Sequence, residues 1–571
     1  MRLRRVLLLA TVLCCAGAVY AWFQTSEPPS PLSSYVPQGA LLAIESADFA
    51  ALLHHWSSSE EQKRWLASDN YAGFSRSRLF GRLSEARDQF ATTAGLSPDA
   101  GFLQQVAGSQ SIFAWYDIGK LEFLYITRMP SSERENLPLL KLRSRFEERK
   151  AGDAIFYVRT EGDPERTVAF AERGDYLLLA TREDLIADAL SLMQRPAERT
   201  LNNEPWYSSA KAAASANAGD LRMTLNLARI VPSPYFRSYW VQRNITEMKQ
   251  YSAAVSDIYR EKGRIREERV LLPGPIGSPG ATEDLGPVLT YLPSGRGIYR
   301  AKAGPTAEEV VSELDDKLLA RLPASYRDRR IAPTADLSTT QAGSTENLEQ
   351  LIDEPVVTAQ PRSTALRQLA SHISELQPSA MLVFSSAVSV DQTPRIPFQP
   401  IHSAVVLASS KEWNESVLQQ DLSAVLAQTI SVGDQGFGWT QQRDAQRSWQ
   451  ELADFNGLAV AIAGKICIVA SDRATLLKML DGQSAGAHAP QVAQVIAGFR
   501  HSAERGPLLS ISKLMDGPSH PAANSQEAAP AFLSGNLGSL SETFRDLDSE
   551  TFTETSGANG ATRQSVIYQW H

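Results

Sequence analysis

One stretch of this chain occurs twice, and that constrains its fold more than any other feature. Val168–Leu190, VAFAERGDYLLLATREDLIADAL, returns without a gap at Leu458–Leu480 as LAVAIAGKICIVASDRATLLKML, an offset of 290 residues (458 minus 168). Ala169/Ala459, Ala171/Ala461, Gly174/Gly464, Ala180/Ala470 and Leu190/Leu480 are identical, and Phe170/Val460, Leu178/Ile468 and Ile186/Leu476 stay apolar. Each copy has an apolar run, a glycine, a second apolar run, then Thr or Ser followed by helical spacing. The pattern predicts a β-hairpin feeding a helix. Gly174 and Gly464 fall where a tight turn needs positive φ, which glycine adopts without a side-chain clash. Thr181 and Ser471 are placed to cap the helix, with Asp184 or Asp472 near the positive end of its dipole. Leu185, Ile186, Ala189, Leu190 and Met193 make one apolar stripe that should lie across the sheet. Gly174, Gly464, Leu190 and Leu480 are thus expected to be structural.

The repetition extends beyond this unit. Tyr35-Val36-Pro37 leads into the strand-like Gly39–Ile44 and then a helix with Phe49, Leu52, Leu53 and Trp56. Tyr291-Leu292-Pro293 leads into Gly297–Ala301 and a helix capped by Thr306 and Glu309, with Val310, Val311, Leu314 and Leu318 buried. Their offset is 256 (291 minus 35), so the second half holds 34 more residues (290 minus 256) before the hairpin. A Ser-, Thr-, Gln- and Pro-rich insertion, residues 331–364, accounts for them. Further strands are predicted at Ser111–Tyr116, Glu122–Thr127 and Ala154–Arg159, and at Ala380–Phe384, Ala404–Ser409 and Gly436–Gln441. Ser410 is read as the cap of a helix carrying Trp413, Val417, Leu418, Leu422, Val425 and Leu426. Downstream, Leu221–Leu227 is matched to Pro507–Lys513 as a strand, and Arg266–Leu272 to Gln564–Trp570.

These matches imply an α+β fold of two similar halves, each a mixed or antiparallel sheet flanked by helices, after an N-terminal transmembrane or signal helix. The organisation reads as an export segment (1–24), a Pro/Ser stalk (25–34), a first repeat (35–272), a Gly/Pro linker (273–288) and a second repeat (289–571).

Arg2, Arg4 and Arg5 precede Val6–Phe23, an uncharged, mostly apolar run. Positive charge stays cytoplasmic, so the remainder is expected to be exported. The segment is long enough for a single-pass anchor in the cytoplasmic membrane. Cleavage near Ala21, which would release a periplasmic protein, is the alternative. The net charge of −8 argues against the basic surface that phosphate neutralisation needs, so no nucleic-acid partner is expected. Cys14 and Cys15 lie in the export segment and Cys467 in a predicted buried strand, which leaves no disulfide framework within one mature chain.

Searches for chemistry return few candidates. HExxH, paired CxxC, GxxxxGK[ST] and GxSxG are all absent, and the adjacent pair His54-His55 diverges on a helix. Two SxxK patterns occur, at Ser208–Lys211 and Ser510–Lys513, without the companion motifs of penicillin-binding enzymes, and Ser510 falls in a predicted strand. Gly433–Gly438, GDQGFG, precedes a strand and so reads as a hairpin loop. Glu267-Glu268, beside Arg264, Arg266 and Arg269, reads as a solvated strand face. No catalytic residue, cofactor or metal is assigned. The aromatic cluster Tyr235, Phe236, Tyr239 and Trp240 follows two prolines at helical spacing. Tyr239 and Trp240 are expected to be core, and Tyr235 and Phe236 are candidate anchors for a partner or the membrane surface.

The Tyr-x-Pro lead-in, the strand–glycine–strand–helix unit and the single export segment together resemble a broad family of bacterial envelope proteins of unknown function. These carry one N-terminal export or anchor helix and a duplicated extracytoplasmic region. The resemblance implies a membrane-attached periplasmic protein and transfers no catalytic residue. The leading expectation is an interaction or scaffold protein of the cell envelope that binds an envelope partner where the halves face each other. An envelope hydrolase with dispersed catalytic residues and a bilobed small-ligand binder are the alternatives.

Overall fold

A computed structural model describes residues 30–571 apart from 163–164, 196–197, 234–247, 276–279, 296, 320–362, 389–400, 430–437, 445–446, 453–456, 485–489 and 517–531. The first strands are β1 (Leu42–Ser46), β2 (Ser111–Asp117), β3 (Glu122–Arg128), β4 (Glu147–Ala151), β5 (Ala154–Glu161), β6 (Arg166–Arg173) and β7 (Tyr176–Ala180). There follow β8 (Leu221–Leu225), β9 (Tyr251–Glu261), β10 (Arg264–Pro273), β11 (Glu283–Asp284), β12 (Ile298–Ala303), β13 (Pro378–Ala387) and β14 (Ile401–Ser409). The last are β15 (Trp439–Arg443), β16 (Ser448–Leu452), β17 (Ala459–Ala463), β18 (Ile466–Ala470), β19 (Val492–Ala493), β20 (Val495–Arg500), β21 (Leu547–Ser556) and β22 (Thr562–Trp570).

The fold is α+β, with one large antiparallel sheet flanked by helices. Among the described residues twenty strands join in that sheet, while β11 and β19 pair separately. Its middle is the pair β10–β22, running from Arg264↔Gln569 to Leu271↔Thr562. Outward from β10 the neighbours are β9, β8, β1, β2, β3, β7, β6, β5 and β4. Outward from β22 they are β21, β20, β12, β13, β14, β18, β17, β16 and β15.

Alternation along the strands gives the sheet two faces, each covered at both ends. On one face Ile112, Leu124, Leu178 and Ala180 pack under the helix Glu183–Gln194, through Leu185, Ile186, Ala189 and Leu190. At the other end of that face, Leu382, Val406 and Ile468 pack with Leu476, Met479 and Leu480 of the helix Arg473–Ser484. On the opposite face the helices Ala307–Leu314, Thr364–Leu376 and Glu415–Thr429 bury Leu314, Leu369, Ile373, Leu422 and Val425 against Val405, Leu407 and Val469. The helices Phe49–Ser57, Arg78–Ala94 and Ala100–Val106 lie over the first end of this second face.

Gly174 and Gly464 adopt φ of 54° and 60° in two-residue hairpin turns, as the pattern requires. Leu190 is fully buried and Leu480 nearly so. The predicted capping box at Thr306 and Glu309 forms in full.

Other expectations need correction. Thr181 and Ser471 do not cap helices: their hydroxyls accept from the amides of Phe123 (2.9 Å) and Ser403 (3.1 Å) on the neighbouring strands. The first helix has Arg182 at its cap position, whose side chain makes no capping bond, whereas Asp472 Oδ1 accepts from Thr475 N at 2.9 Å in the second. Asn414, not Ser410, accepts from the Val417 amide to start its helix. Pro507–Lys513 is helical, within His501–Asp516, and Ile511 is buried by packing that selects helical spacing over the apparent alternation. The strand beside β12 is instead β20. The stalk ends early, because Leu32 and Ser33 are buried and the Ser33 hydroxyl reaches Asn202. The linker likewise ends in packed structure: β11 pairs with β19, and Leu285, Val288 and Leu289 join the core.

Candidate functional site

Over the sheet's middle strands on the second face, beside the short helix Leu227–Ile230 and the helix His501–Asp516, a cleft of about 1940 Å³ opens. Directly opposed residues of antiparallel strands share a face, so Glu267, Arg269 and Leu271 of β10 stand with Ser256 and Ala254 of β9 and Gln564 of β22. These form the floor. Met223, Leu225 and Met248 make one bank, and Ile298, Met381, Val383 and Ile401 the other.

The floor is charged but internally satisfied. Glu267 accepts from Arg269 Nε and Nη2, each at 2.6 Å, and from Ser256 Oγ at 2.6 Å. Burial pushes this carboxyl upward, but the Arg269 and Ser256 hydrogen bonds outweigh it and hold it below the usual carboxylate range. Gln564 Nε2 donates to Glu554 Oε2 at 2.8 Å. Lys302 donates to Glu309, whose carboxyl is raised by burial but lowered further by the bonds from Lys302 and the Thr306 amide. Paired carboxylates of this kind favour recognition over proton transfer, since a general base needs a pKa near the working pH. The apolar banks remain partly uncovered: Ile298 and Ile401 are each 40% exposed.

The charged run of β10 is a partly solvated face: the side chains of Arg264, Arg266, Glu268 and Arg269 keep 48%, 28%, 35% and 36% exposure. Glu267 is the more covered member, at 15% exposure, beneath Arg269 and Ser256. Tyr235, Phe236, Tyr239 and Trp240 lie outside the described residues, as do most of 331–364 and most of the GDQGFG loop. The chain that follows the aromatic segment re-enters at Met248, which lines the cleft. Ser510 lies on a helix, contrary to the strand expected there, yet its hydroxyl donates to the Gly506 carbonyl at 3.1 Å. Ser208 donates to the Pro205 carbonyl at 3.3 Å. Cys467 is fully buried, and burial pushes its thiol up, away from reactivity.

Two His–Asp pairs escaped the sequence reading, because their partners are far apart along the chain. His372 Nδ1 meets the buried Asp421, and His402 Nδ1 meets Asp472, which also accepts from Ser471 and Thr475. Among the described residues no hydroxyl or thiol is hydrogen-bonded to the other ring nitrogen of either histidine, and no cluster of three His, Cys, Asp or Glu side chains could hold a metal. No described helix is long and apolar enough to cross a membrane, and residues 1–29 lie outside the described set.

No family model and no curated protein matches this chain. Among solved structures the chain is similar to crystal form III of TP0453, at 10% identity over 44% of this chain and 82% of that one. The TM-score of 0.23 is too low to support any argument about fold or function.

Proposed function

We propose that this chain is a membrane-anchored extracytoplasmic interaction or scaffold protein, and that an envelope protein partner docks in the cleft over β9, β10, β22 and β12. The observation that carries the reading is the pairing of uncovered apolar banks with a charged floor whose groups already satisfy one another. A docked surface can bury Ile298 and Ile401 beside a floor whose charges are already paired, which is the arrangement of an apolar interface core beside polar groups. The export pattern of Arg2, Arg4, Arg5 and Val6–Phe23 supports the compartment.

We also propose that the molecule is a duplication of one ten-stranded unit, with the cleft at the junction of the two similar halves. Three register pairs support this. Ala169↔Ala180 recurs as Ala459↔Ala470, Leu124↔Ala180 as Ala404↔Ala470, and Ala43↔Ala114 as Tyr299↔Phe384. Val255↔Val270 likewise recurs as Thr551↔Ile567, which makes Ser565 the counterpart of Glu268. Glu268 pairs with Ser565 itself, and Ser565 Oγ donates to its carboxylate at 2.9 Å. A strand pair centred on equivalent residues is the geometry of an isologous contact between two copies.

The test is chemical crosslinking in intact membranes, followed by capture of the full-length protein. Ile298→Asp and Ile401→Asp should each abolish a specific crosslinked partner while leaving the melting temperature near that of the parent. A partner retained by both variants would refute the cleft. Tyr235→Ala and Phe236→Ala should weaken the same capture by about 2 kcal/mol if these residues are anchors.

A further inference from the structure

Between the first end of the sheet and the helix Arg78–Ala94 lies a second, separate pocket of about 620 Å³. Phe113, Trp115 and Phe123 form part of its floor, with Phe113 and Phe123 stacked at 4.8 Å between ring centroids. Leu83, Ala86 and Phe90 of the covering helix form part of its roof, at the three- and four-residue spacing that puts them on one side. Leu83 and Leu103 stand at its rim and are each 42% exposed. The volume is that of an ordinary small-molecule site.

We infer that this pocket binds one long acyl chain carrying an anionic head. The interior offers a ligand mainly dispersion contacts and release from water, because the hydroxyls that line it already have hydrogen-bond partners. Ser46 Oγ donates to the Asp220 carbonyl at 2.9 Å, and Tyr125 OH to the Val106 carbonyl at 3.1 Å. Ser111 meets Thr127 at 2.6 Å and Thr167 meets Thr160 at 2.9 Å, while Thr181 accepts from the Phe123 amide. A polar ligand would lose its hydration there without replacement, whereas a hydrocarbon loses nothing by desolvation.

The head group follows from charge at the lining. No carboxylate lines the pocket, but Arg87 and Arg166 do. Arg87 is held only by an exposed ion pair with Asp88, which contributes little and leaves the guanidinium free to turn. Arg166 is fixed by its bonds to Gln89 and the Lys120 carbonyl. Together they suit a carboxylate or a phosphate ester. This inference is independent of the partner proposed for the cleft.

The full-length protein in nanodiscs of unbrominated lipid provides the test, with dibromostearic acid as one probe and nanodiscs doped with a dibrominated-chain phosphatidylglycerol as the other. Bromine quenches nearby tryptophan. At least one probe should produce a saturable loss of emission at one equivalent, absent in Trp115→Phe and requiring at least about tenfold more probe in Ala86→Asp, which puts a charge into the cavity. The arm that saturates identifies free acid or phospholipid as the source. Quenching unchanged in both variants, or unsaturated in both arms, would overturn the inference. Because Ala86→Asp could unfold the helix, a chain-length series on the unaltered protein supplies a second measure. Fatty-acid affinity should rise about fourfold per methylene and then level off as the cavity fills. A rise that never levels off marks partition into lipid and also overturns it.

Discussion

At the first end of the second sheet face, β2 and β3 present Phe113, Trp115, Phe123 and Tyr125. At the same places in the pairing, β13 and β14 present Val383, Ser385, Ser403 and Val405. Both sets border open space, but of different kinds: the aromatic set lines the 620 Å³ pocket under its own helices, whereas Val383, Ser385 and Ser403 border the 1940 Å³ cleft and Val405 lies under the helices of its end. Around Val405, Leu369, Ile373, Leu418, Leu422 and Val425 are all at most 4% exposed, with a smaller pocket of about 310 Å³ between their helices, while the first end keeps its 620 Å³ pocket and an exposed Leu83 and Leu103. Aromatic rings have few torsions and cannot collapse into a gap, so they prop the covering helices, whereas aliphatic chains interdigitate and seal. The same strand pairing thus carries a more tightly packed helix layer around Val405 and a roomier one over Phe113 and Phe123.

Several substitutions can break or sharpen this contrast. Leu422→Ala removes a fully buried side chain from the sealed end and should cost about 2–5 kcal/mol in denaturant unfolding, whereas Leu83→Ala at the open rim should cost about 0.5 kcal/mol or less. Overpacking should discriminate next. Ala424→Leu, on the helix Glu415–Thr429 against the sealed core, should destabilise by about 1–3 kcal/mol, while Ala86→Leu has room and should stay within about 0.5 kcal/mol of the parent. Comparable losses at both sites would mean that the first end is as closed as the second.

A smaller difference lies at the helix starts behind the other face. Asp472→Ala should cost about 1–2 kcal/mol through the lost cap, and Arg182→Ala about 0.5 kcal/mol or less, because Arg182 makes only partly exposed ion pairs with Glu122 and Asp184. Burial pushes the Asp472 carboxyl up, but bonds from His402, Thr475 and Ser471 outweigh it and hold it well below the ordinary range. A depressed folded-state pKa stabilises above the unfolded carboxylate value, and that stabilisation is lost as pH falls toward the folded one. The gap between parent and Asp472→Ala should therefore narrow in acid. A gap constant from neutral to acidic pH would contradict the assignment of Asp472.

What the sequence revealed was local. The hairpin turns at Gly174 and Gly464, the stripe ending at Leu190 and the capping box at Thr306 are set by residues within a few positions of one another. What it concealed depends on distant partners. That Glu267 and Arg269 floor a cleft is visible only once β22, nearly three hundred residues on (564 minus 269), is laid beside β10. Pro507–Lys513 alternates like a strand, but the packing of Ile511 decides for helix. The polar β4, EERKA, has no apolar alternation to announce it. The pocket escaped for a related reason: alternation puts Phe113 with Trp115, and Phe123 with Tyr125, on one face, yet nothing local says whether the helices above will close on them.

Xenon binding by crystals of the full-length protein tests the central contrast most directly, since dry apolar cavities take up xenon and well-packed cores do not. The account predicts a xenon site between Phe113, Trp115 and Phe90, and none between Leu422 and Val405. An empty first end, or comparable occupancy at both ends, would contradict it.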